Sequence, residues 1–277
     1  MKVLTLNCHS WLEENQGEKL QQLVDHIVTE DFDAIDLQEV NQTIGEEPGI
    51  LDEWYCFNND TWPILRDNFA LKLSEALQIA DKEYYWTWGF SHLSFDRFEE
   101  GLALFSKEPL LATVSQVSEC SDVADYRRRI LVSGVTEKDG QLITVGSIHH
   151  SWWEDDGFKI EWAGLEKALE NNPNPLILGG DFNQIAGTKG HELVLNSSLN
   201  LQDSFKIAET TRGEATIDGP IDGWNDYTEA LRIDYIFVSQ DLAVKEHKVV
   251  FDGTHEPQVS DHHGVQIEAI LIASSVE

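Results

Sequence analysis

Cysteine is scarce in this chain of 277 residues, which contains Cys8, Cys56 and Cys120 and no others. The three are far apart and odd in number, and no CxxC pair occurs, so the sequence excludes a disulfide framework. This cysteine usage is typical of a reducing compartment, and we therefore expect a cytoplasmic protein.

Long hydrophobic runs are also missing. No segment approaches the roughly 20 apolar residues that a membrane-spanning helix needs. Residues 1–7, Met-Lys-Val-Leu-Thr-Leu-Asn, lack the apolar stretch of a signal peptide and are typical of a β-strand. The sequence therefore predicts neither a membrane anchor nor a secretory leader.

Basic residues are few: 19 lysines and arginines stand against 50 acidic residues, and the net charge is −31. A nucleic-acid-binding protein needs a basic stripe to neutralise phosphates, and the sequence has a single basic cluster, Arg127–Arg129. An acidic surface keeps a protein in solution and repels polyanions. We therefore expect a small substrate rather than long DNA or RNA.

Hydrophobic periodicity predicts more strands than helices. Residues 41–63, rich in Gly, Asn, Pro and Trp, form a long loop that we interpret as a lid or binding loop. Three helices are predicted, at 18–30, 68–80 and 160–170. The predicted strands are 3–7, 34–40, 84–89, 102–106, 130–136, 141–147, 176–178, 232–238 and 265–270. This order favours two packed sheets with helices outside.

Polar side chains occur where several of these strands end. Asp181 and Asn183 follow the apolar run 175–178, and because they are two residues apart they point the same way in an extended segment. The alternative is an Asx turn after Gly-Gly. Asp234 interrupts an apolar strand, where an acid is costly unless it is paired. The imidazole of His262, in the exposed-looking pair Asp261-His262, would pair with the Asp234 carboxylate, and that carboxylate would orient the ring.

Three further strand ends carry candidate residues with weaker patterns. Asn7 ends the first strand, where a turn or cap is its ordinary use, and Glu39 ends the second, as a ligand or a solvated edge. His149 and His150 follow the strand 141–147 and offer a second imidazole or a polar strand end. Carboxylate and amide oxygens suit a hard cation, and with an acid-held imidazole they suit phosphate-ester hydrolysis. Because the candidates run from Asn7 to His262, we expect one domain over 1–277, although length alone suggests about two.

Seven motifs in this order resemble the endonuclease/exonuclease/phosphatase superfamily, the deoxyribonuclease-I-like fold. Any one motif is weak, but seven in order cover nearly the whole chain. They are Asn7 after the first strand, Leu37-Gln38-Glu39-Val40, Glu100-Gly101-Leu102-Ala103-Leu104-Phe105-Ser106-Lys107, Ile148-His149, Gly180-Asp181-Phe182-Asn183, Arg232-Ile233-Asp234-Tyr235-Ile236 and Ser260-Asp261-His262.

The resemblance implies a four-layered α/β sandwich, with two packed, mostly antiparallel β-sheets flanked by helices. It implies a catalytic divalent cation, Mg²⁺ with Mn²⁺ as a substitute, held by Glu39 with Asn7 and Asp261. Asp181 and Asn183 would position or activate the attacking water and bind phosphate, with either Asp181 or His262 as the base. His149 and His262 would contact phosphate oxygens, and Asp234 would hold His262. The pair His149-His150 departs from the usual single histidine, so His150 remains the alternative to His149.

The superfamily includes nucleases, sphingomyelinases and sugar-phosphate phosphatases, and fold does not choose among them. The run Trp152-Trp153-Glu154-Asp155-Asp156 follows the candidate histidines, and indole faces beside carboxylates suit a sugar ring. Packing is the ordinary role of many of the nine tryptophans. Arg128 or a neighbour is expected to meet the phosphate, although a solvated turn is its ordinary use. Residues 7–11, Asn-Cys-His-Ser-Trp, and the Trp-Trp-acid run also resemble bacterial maltose 6'-phosphate phosphatases.

These observations favour a Mg²⁺-dependent phosphomonoesterase that releases phosphate from a phosphorylated sugar, such as a disaccharide phosphate. A phosphodiesterase, either a nuclease or a sphingomyelinase-like enzyme, is the alternative. A non-catalytic binding protein on the same scaffold is a third hypothesis, and intact Glu39, Asp181, Asn183, Asp234 and His262 argue against it.

Overall fold

A computed structural model describes residues 1–153, 157–221 and 223–272 of the chain. The acids Glu154, Asp155 and Asp156 of the predicted sugar-facing run lie outside the described residues. Within the described ranges, two β-sheets pack face to face and helices cover their outer faces. No helix of this part of the chain is long and apolar enough to cross a membrane.

The first sheet has seven strands in the order β10-β12-β13-β1-β2-β4-β3. β1 runs parallel to β2, and β10 runs parallel to β12, while the other neighbours are antiparallel. The strands are β1 Lys2–Asn7, β2 Ala34–Thr43, β3 Tyr85–Ser94, β4 Phe98–Ser106, β10 Thr210–Arg212, β12 Leu242–Val250 and β13 Gly264–Leu271.

The second sheet has six strands in the order β5-β6-β7-β8-β11-β9. β7 and β8 are parallel and the other pairs are antiparallel. The strands are β5 Leu111–Gln116, β6 Ile130–Lys138, β7 Gln141–His149, β8 Leu176–Asp181, β9 Leu201–Asp203 and β11 Asp234–Ser239. The predicted class, a sandwich of two mostly antiparallel sheets flanked by helices, is confirmed.

The helices are α1 Gln16–Glu30, α2 Phe69–Ile79, α3 Gly157–Leu169, α4 Lys189–Leu195 and α5 Ser204–Ile207. Side chains of α1 and α2 pack on the outer face of the first sheet, and those of α3 and α4 pack on the second. Asn68 caps α2, because its side chain accepts hydrogen bonds from the backbone of Ala70 and Leu71.

Apolar residues of the central strands pack on both sides because both faces of each sheet are covered. In β8, Ile177 contributes to the core between the sheets, whereas Leu176 and Leu178 pack under α3. In β2, Ala34 faces the partner sheet and Ile35 faces the helices. Burial of both faces explains why β8 is apolar until its last residue, Asp181, while β2 also buries the polar Asp36 and Gln38.

The interpretation of residues 41–63 as a lid or binding loop is wrong for the cavities described below. Trp54, Tyr55 and Trp62 pack against the core under the first sheet, and Trp62 stacks on Phe90 with ring centroids 3.9 Å apart. Within the described part of the chain, no residue of 41–63 lines any of these cavities. The loop instead lies along the edge strand β3, where the backbones of Trp54 and Cys56 hydrogen-bond with that of Trp86.

Candidate active site

The candidate residues gather at one edge of the sandwich because β1, β7 and β8 all end there. Asn7, His149 and Asp181 are the last residues of these strands, and His149 pairs directly with Asp181 across the parallel β7–β8 ladder. β11 runs the other way and begins at the same edge, so that Asp234 is paired with Asp181. A cavity of about 480 Å³ opens at this edge.

Asp181 lies at the centre of the polar cluster. Its Oδ1 accepts from the backbone N–H of Asn183 at 2.8 Å, and its Oδ2 accepts from the Asn7 side-chain amide at 3.2 Å. The same Oδ2 lies 3.6 Å from Nε2 of His149 and 3.8 Å from Nε2 of His262. Burial, reinforced by the charge of Asp234, raises the pKa of Asp181 to about 7. A carboxyl with this pKa can exchange a proton at neutral pH.

Close packing brings Asp181 to this position. Gly180 has φ +153°, and a Cβ there would lie 2.0 Å from the carbonyl oxygen of Ile148 on β7. Any larger residue would therefore push β8 away from β7 just before the candidate base. The glycine directly before Asp181 therefore allows the backbones of β8 and β7 to approach each other closely.

The predicted contact between Asp234 and His262 is present. Nδ1 of His262 lies 3.1 Å and 3.0 Å from the two carboxylate oxygens of Asp234, which turns Nε2 toward Asp181 and the cavity. Burial opposes protonation of His262, but the charge and hydrogen bond of Asp234 outweigh it and raise the pKa of His262 to about 10. His262 is 5% exposed, so the sequence impression of an exposed pair is wrong for the histidine.

Glu39 enters the cavity from a β-bulge. The register of β2 against β4 shifts between Leu37 and Val40, and Glu39 adopts φ +51°, a left-handed conformation uncommon for a non-glycine residue. Its two oxygens accept from the Asn7 amide and from the Ser10 hydroxyl, each at 2.9 Å. Burial and then the nearby charge of Glu100 raise the pKa of Glu39, while its hydrogen bonds from Asn7 and Ser10 and the charge of His262 oppose this.

The structure separates the two adjacent histidines. His149 lines the cavity, and burial followed by the Arg129 charge lowers its pKa well below the usual value, so its ring is neutral. His150 is 0% exposed, with Nδ1 3.2 Å from Glu161 and its ring packed edge-on against Phe158. His149 is therefore the histidine that can meet a substrate.

Of the predicted Arg128 and its neighbours, Arg129 is the arginine that lines the cavity. Arg128 donates from its guanidinium to the backbone carbonyls of Phe90 and Ser91, which fixes it to β3. Arg129 lines the cavity and is 3% exposed. No side chain or carbonyl in the described residues accepts a hydrogen bond from its guanidinium, and its Nε is buried without a partner.

The comparisons with known proteins agree with this geometry. A model of the endonuclease/exonuclease/phosphatase family matches residues 4–262. The chain belongs to this family. No curated protein matches the sequence.

Solved structures give the same result. A family protein from Leptotrichia buccalis C-1013-b is 33% identical, with 98% of this chain and 100% of that chain covered and a TM-score of 0.84. A mannosyl-6-phosphatase from Bacteroides thetaiotaomicron is 18% identical, covering 98% and 100% of the two chains, with a TM-score of 0.66. The human nocturnin catalytic domain with bound sulfate is 16% identical, covering 98% and 94%, also with a TM-score of 0.66.

The remaining predicted residues of this family member take different places. Asp261 lines the cavity, while Asn7 and Asp234 lie behind it and contact the residues that do. Trp152 lines the cavity, but Trp153 lies in a neighbouring one. Trp162 belongs to α3 and is buried between that helix and the second sheet.

Sequence reasoning missed Trp224 and His92, which also line the cavity. Trp224 donates from its indole nitrogen to Oδ1 of Asn183 at 2.8 Å, while the amide nitrogen of Asn183 donates to the carbonyl of His150 at 2.9 Å. Nε2 of His92 lies 3.5 Å from Glu100. Neither residue ends an apolar run, so no strand-end signal marks them.

The donor groups of this family member fit a divalent cation. Ligand atoms of Asp181, Asp234 and His262 lie within 4.8 Å of one another, and so do those of His9, Glu13 and Asp261. Glu39 is in neither group, but it lies buried close to Glu100, and a bound cation would stabilise the two carboxylates. Asn7 presents its amide nitrogen to Glu39, while its oxygen accepts from the backbone of His9 at 2.9 Å.

Proposed function

We propose that this protein is a metal-dependent phosphomonoesterase that releases inorganic phosphate from a small phosphorylated sugar. Mg²⁺ is the expected ion and Mn²⁺ its substitute, with Glu39, Asn7 and Asp261 as the residues that would hold it. The scarcity of cysteine supports a cytoplasmic location for the reaction. Site residues come from both sheets and from Asn7 to His262, which supports one catalytic domain over 1–277.

The observation that carries the proposal is the buried guanidinium of Arg129. It lines the cavity at 3% exposure and has no hydrogen-bond acceptor among the described residues. The carboxylates of Glu100 and Glu161 interact with its charge, but no described residue accepts a hydrogen bond from the guanidinium, so these donors are open to a bound anion. The planar guanidinium matches two oxygens of a phosphate, so a phosphate group is the anion that it suits best.

Two histidines and one carboxyl supply the remaining chemistry. His262, protonated at neutral pH because Asp234 raises its pKa to about 10, donates to a phosphate oxygen where negative charge builds up. Neutral His149 offers an uncharged donor. Asp181, with a pKa of about 7, accepts a proton from the attacking water. The water oxygen bonds to phosphorus, the bond from phosphorus to the sugar oxygen breaks, and that oxygen takes a proton from solvent.

In this proposal Asp181 is the base, since a histidine that is already protonated has no lone pair for a proton. When bound, the divalent cation supplies charge neutralisation at a phosphate oxygen. Asn183 is held between Trp224 and the backbone of His150, so its second amide hydrogen is the one that can meet the substrate.

The aromatic wall at Trp152 and the acidic surface support the proposal that the substrate is a sugar phosphate. Net charge −31 disfavours a polyanion but tolerates a monoester, whose charge Arg129 and His262 meet locally. Among the structural neighbours, one is named a mannosyl-6-phosphatase. The same set includes the nocturnin catalytic domain and a truncated TDP2, so the fold itself does not select the substrate.

The test is phosphate release from a panel of sugar phosphates, run beside a plasmid-nicking assay, with Mg²⁺, with Mn²⁺ and with excess chelator. We expect phosphate from sugar phosphates, no nicking and no activity with chelator. Efficient nicking without phosphate release would overturn the monoesterase in favour of a phosphodiesterase. Full activity in chelator would overturn the metal.

A further inference from the structure

The chain makes a tight turn just after β1, in a three-residue segment at the edge of the catalytic cavity. His9, Ser10 and Trp11 follow one another with φ +49°, +49° and +53°, in the left-handed region that residues other than glycine rarely occupy. Strained backbone of this kind persists only where the surrounding contacts hold it, and it is concentrated at functional sites. This left-handed turn therefore calls for a functional explanation.

Contacts on both sides hold the left-handed turn in place. The indole of Trp11 stacks on Phe69, the first residue of α2, with ring centroids 4.2 Å apart. The backbone carbonyl of Ser10 accepts a hydrogen bond from the side-chain amide of Asn41 at 3.3 Å. These contacts fix the backbone of the turn, and with it the direction in which the Ser10 side chain leaves the chain.

The turn points the Ser10 hydroxyl at two buried carboxylates. Its Oγ lies 2.9 Å from Oε2 of Glu39 and 3.3 Å from Oε2 of Glu100, and Ser10 is 1% exposed. A hydroxyl has one hydrogen to donate, and the shorter distance assigns that hydrogen to Glu39. The Asn7 amide donates to the other oxygen of Glu39, Oε1, at 2.9 Å. Each oxygen of Glu39 thus has one donor, and the two hydrogen bonds set the orientation of the carboxylate in the cavity.

We propose that Ser10 is a positioning residue for the metal site, whose hydroxyl holds the Glu39 carboxylate in the orientation that a divalent cation requires. The left-handed turn delivers this hydroxyl, which explains why strained backbone is kept at this point of the chain. The inference rests on the proposed function, in which Glu39 holds the cation, and adds the group that orients Glu39. Hydrogen bonds that orient a metal ligand typically contribute about 10–100-fold to metal affinity.

Two substitutions at the same position separate the hydroxyl from the backbone. Ser10→Ala removes the hydroxyl and keeps a side chain that is strained at φ +49°, whereas Ser10→Gly removes the hydroxyl and also relieves the strain. Ser10→Gly should therefore melt at a higher temperature than Ser10→Ala. Asp139→Gly is the matched control, because it relieves the same kind of strain, at φ +52°, in an exposed turn between β6 and β7 that does not line the cavity.

Calorimetric titration with Mg²⁺ tests the role of Ser10 without any substrate. We expect the Kd for Mg²⁺ to rise about tenfold or more in both Ser10 variants, whatever their melting temperatures, and to keep the wild-type value in Asp139→Gly. Affinity that is lost in Ser10→Ala but kept in Ser10→Gly would show that the backbone conformation matters and the hydroxyl does not, which would overturn the inference. A wild-type Kd in both Ser10 variants, or a wild type that binds no Mg²⁺, would also overturn it.

Phosphate release from the sugar-phosphate panel separates this inference from the proposed function. At a Mg²⁺ concentration near the wild-type Kd, kcat should fall several-fold in both Ser10 variants, because less of the enzyme holds the cation, and excess Mg²⁺ should restore most of it. Weaker Mg²⁺ binding in both variants, with no phosphate released even by the wild type, would support the role of Ser10 and overturn the phosphomonoesterase. Equal phosphate release and equal Mg²⁺ affinity in the wild type and both variants would leave the phosphomonoesterase standing and overturn the role of Ser10.

Discussion

A single side chain, His262, has its protonation state fixed by one neighbour, and the candidate chemistry depends on that state. Asp234 holds the ring through Nδ1 at 3.0 Å, and both groups are buried. We predict that His262→Ala lowers kcat by about 10²–10⁴-fold with little loss of thermal stability. Asp234→Ala should lower both kcat and thermal stability, because it leaves the buried imidazole of His262 unpaired. A thermal melt and initial rates on each variant check this, and unchanged rates in His262→Ala would contradict the role.

Glu39 is the residue that most directly links the site to a cation. We predict that Glu39→Gln keeps the fold, weakens binding of Mg²⁺ in calorimetry and loses most activity, because an amide holds Mg²⁺ poorly. Glu53→Gln, at an exposed acid outside the cavity, is the matched control and should bind Mg²⁺ like the wild type. Equal binding in the wild type and Glu39→Gln would show that the ion lies elsewhere.

Trp224 acts through Asn183. The Trp224→Phe substitution keeps an aromatic ring but removes the 2.8 Å hydrogen bond from the indole nitrogen to Oδ1 of Asn183. A neutral hydrogen bond is worth about 0.5–1.5 kcal/mol, so kcat should fall roughly two- to tenfold. A positioning role predicts that kcat falls while KM for a small monoester stays constant. A change in stability with no change in kcat would indicate packing alone.

The sequence predicts which residue types form the site better than it predicts which of two neighbouring residues faces the cavity. Neighbouring residues in extended chain point to opposite sides, and at the end of β7 and just before β6 one residue of each pair, His150 and Arg128, turns away from the cavity. Which one does so depends on where the strand ends and what packs behind it. His150 contacts the carboxylate of Glu161 on α3, and Arg128 donates hydrogen bonds to backbone carbonyls of β3. Neither contact has a local sequence signal.

Among the elements, the short segments around β9 depend on one buried carboxylate. The Asp203 side chain caps α5 by accepting from the backbone of Phe205. Its Oδ2 lies 3.1 Å from Nε2 of His191 on α4 and 2.8 Å from a guanidinium nitrogen of Arg232, which precedes β11. Burial opposes its ionisation, but hydrogen bonds from His191 and Arg232 lower the pKa of Asp203 to about 2. Since this value lies below the ordinary one, its stabilising contribution is present above about pH 4 and is lost as the pH falls toward 2.

We therefore predict that Asp203→Asn lowers the free energy of unfolding at pH 7 by about 3–5 kcal/mol, the usual effect of leaving a buried partner unpaired. Near pH 2 the difference from the wild type should shrink. Denaturant titrations at several pH values check this. Glu209→Gln breaks an exposed pair with Lys245 and serves as control, with little change expected at any pH. A loss in Asp203→Asn that is the same at every pH would contradict the ionic explanation.

Most central strands could be predicted, and the missed strands β5, β9, β10 and β12 lie at or next to the sheet edges, although the sequence predicts the edge strand β3 at 84–89. β8 and β11 are largely apolar runs because both of their faces are buried. β5 is exposed at alternate positions along an edge and reads as polar loop sequence. Glu39 shows a related limit, since the bulge that turns it toward the cavity arises from the pairing of β2 with β4.

For the whole molecule, the net charge of −31 sets how charged ligands approach. Salt screens repulsion between the acidic surface and an anionic substrate, so we predict that kcat/KM for a sugar phosphate holds or rises from about 20 to about 200 mM salt. Association driven by basic contacts to a nucleic acid would weaken steeply over the same range. A steep fall in kcat/KM would therefore favour a polyanionic substrate.

The motifs at Asn7, His149, Asp181 and Asp234 end or begin strands whose ends the topology brings to one edge, whereas Leu37–Val40 lies at a bulge inside β2. The cavities could not be predicted in the same way. Their walls come from loop residues such as Trp224 and Tyr227, which are distant in sequence from Trp152 and carry no periodic pattern.

The most direct test of the central claim is hydrolysis of a disaccharide phosphate in ¹⁸O-labelled water, followed by ³¹P NMR and mass spectrometry of both products. Attack of water on phosphorus with Asp181 as base predicts one ¹⁸O atom in each inorganic phosphate, none in the disaccharide and no reaction in chelator. Label in the disaccharide, or no release of phosphate with Mg²⁺ present, would contradict the account.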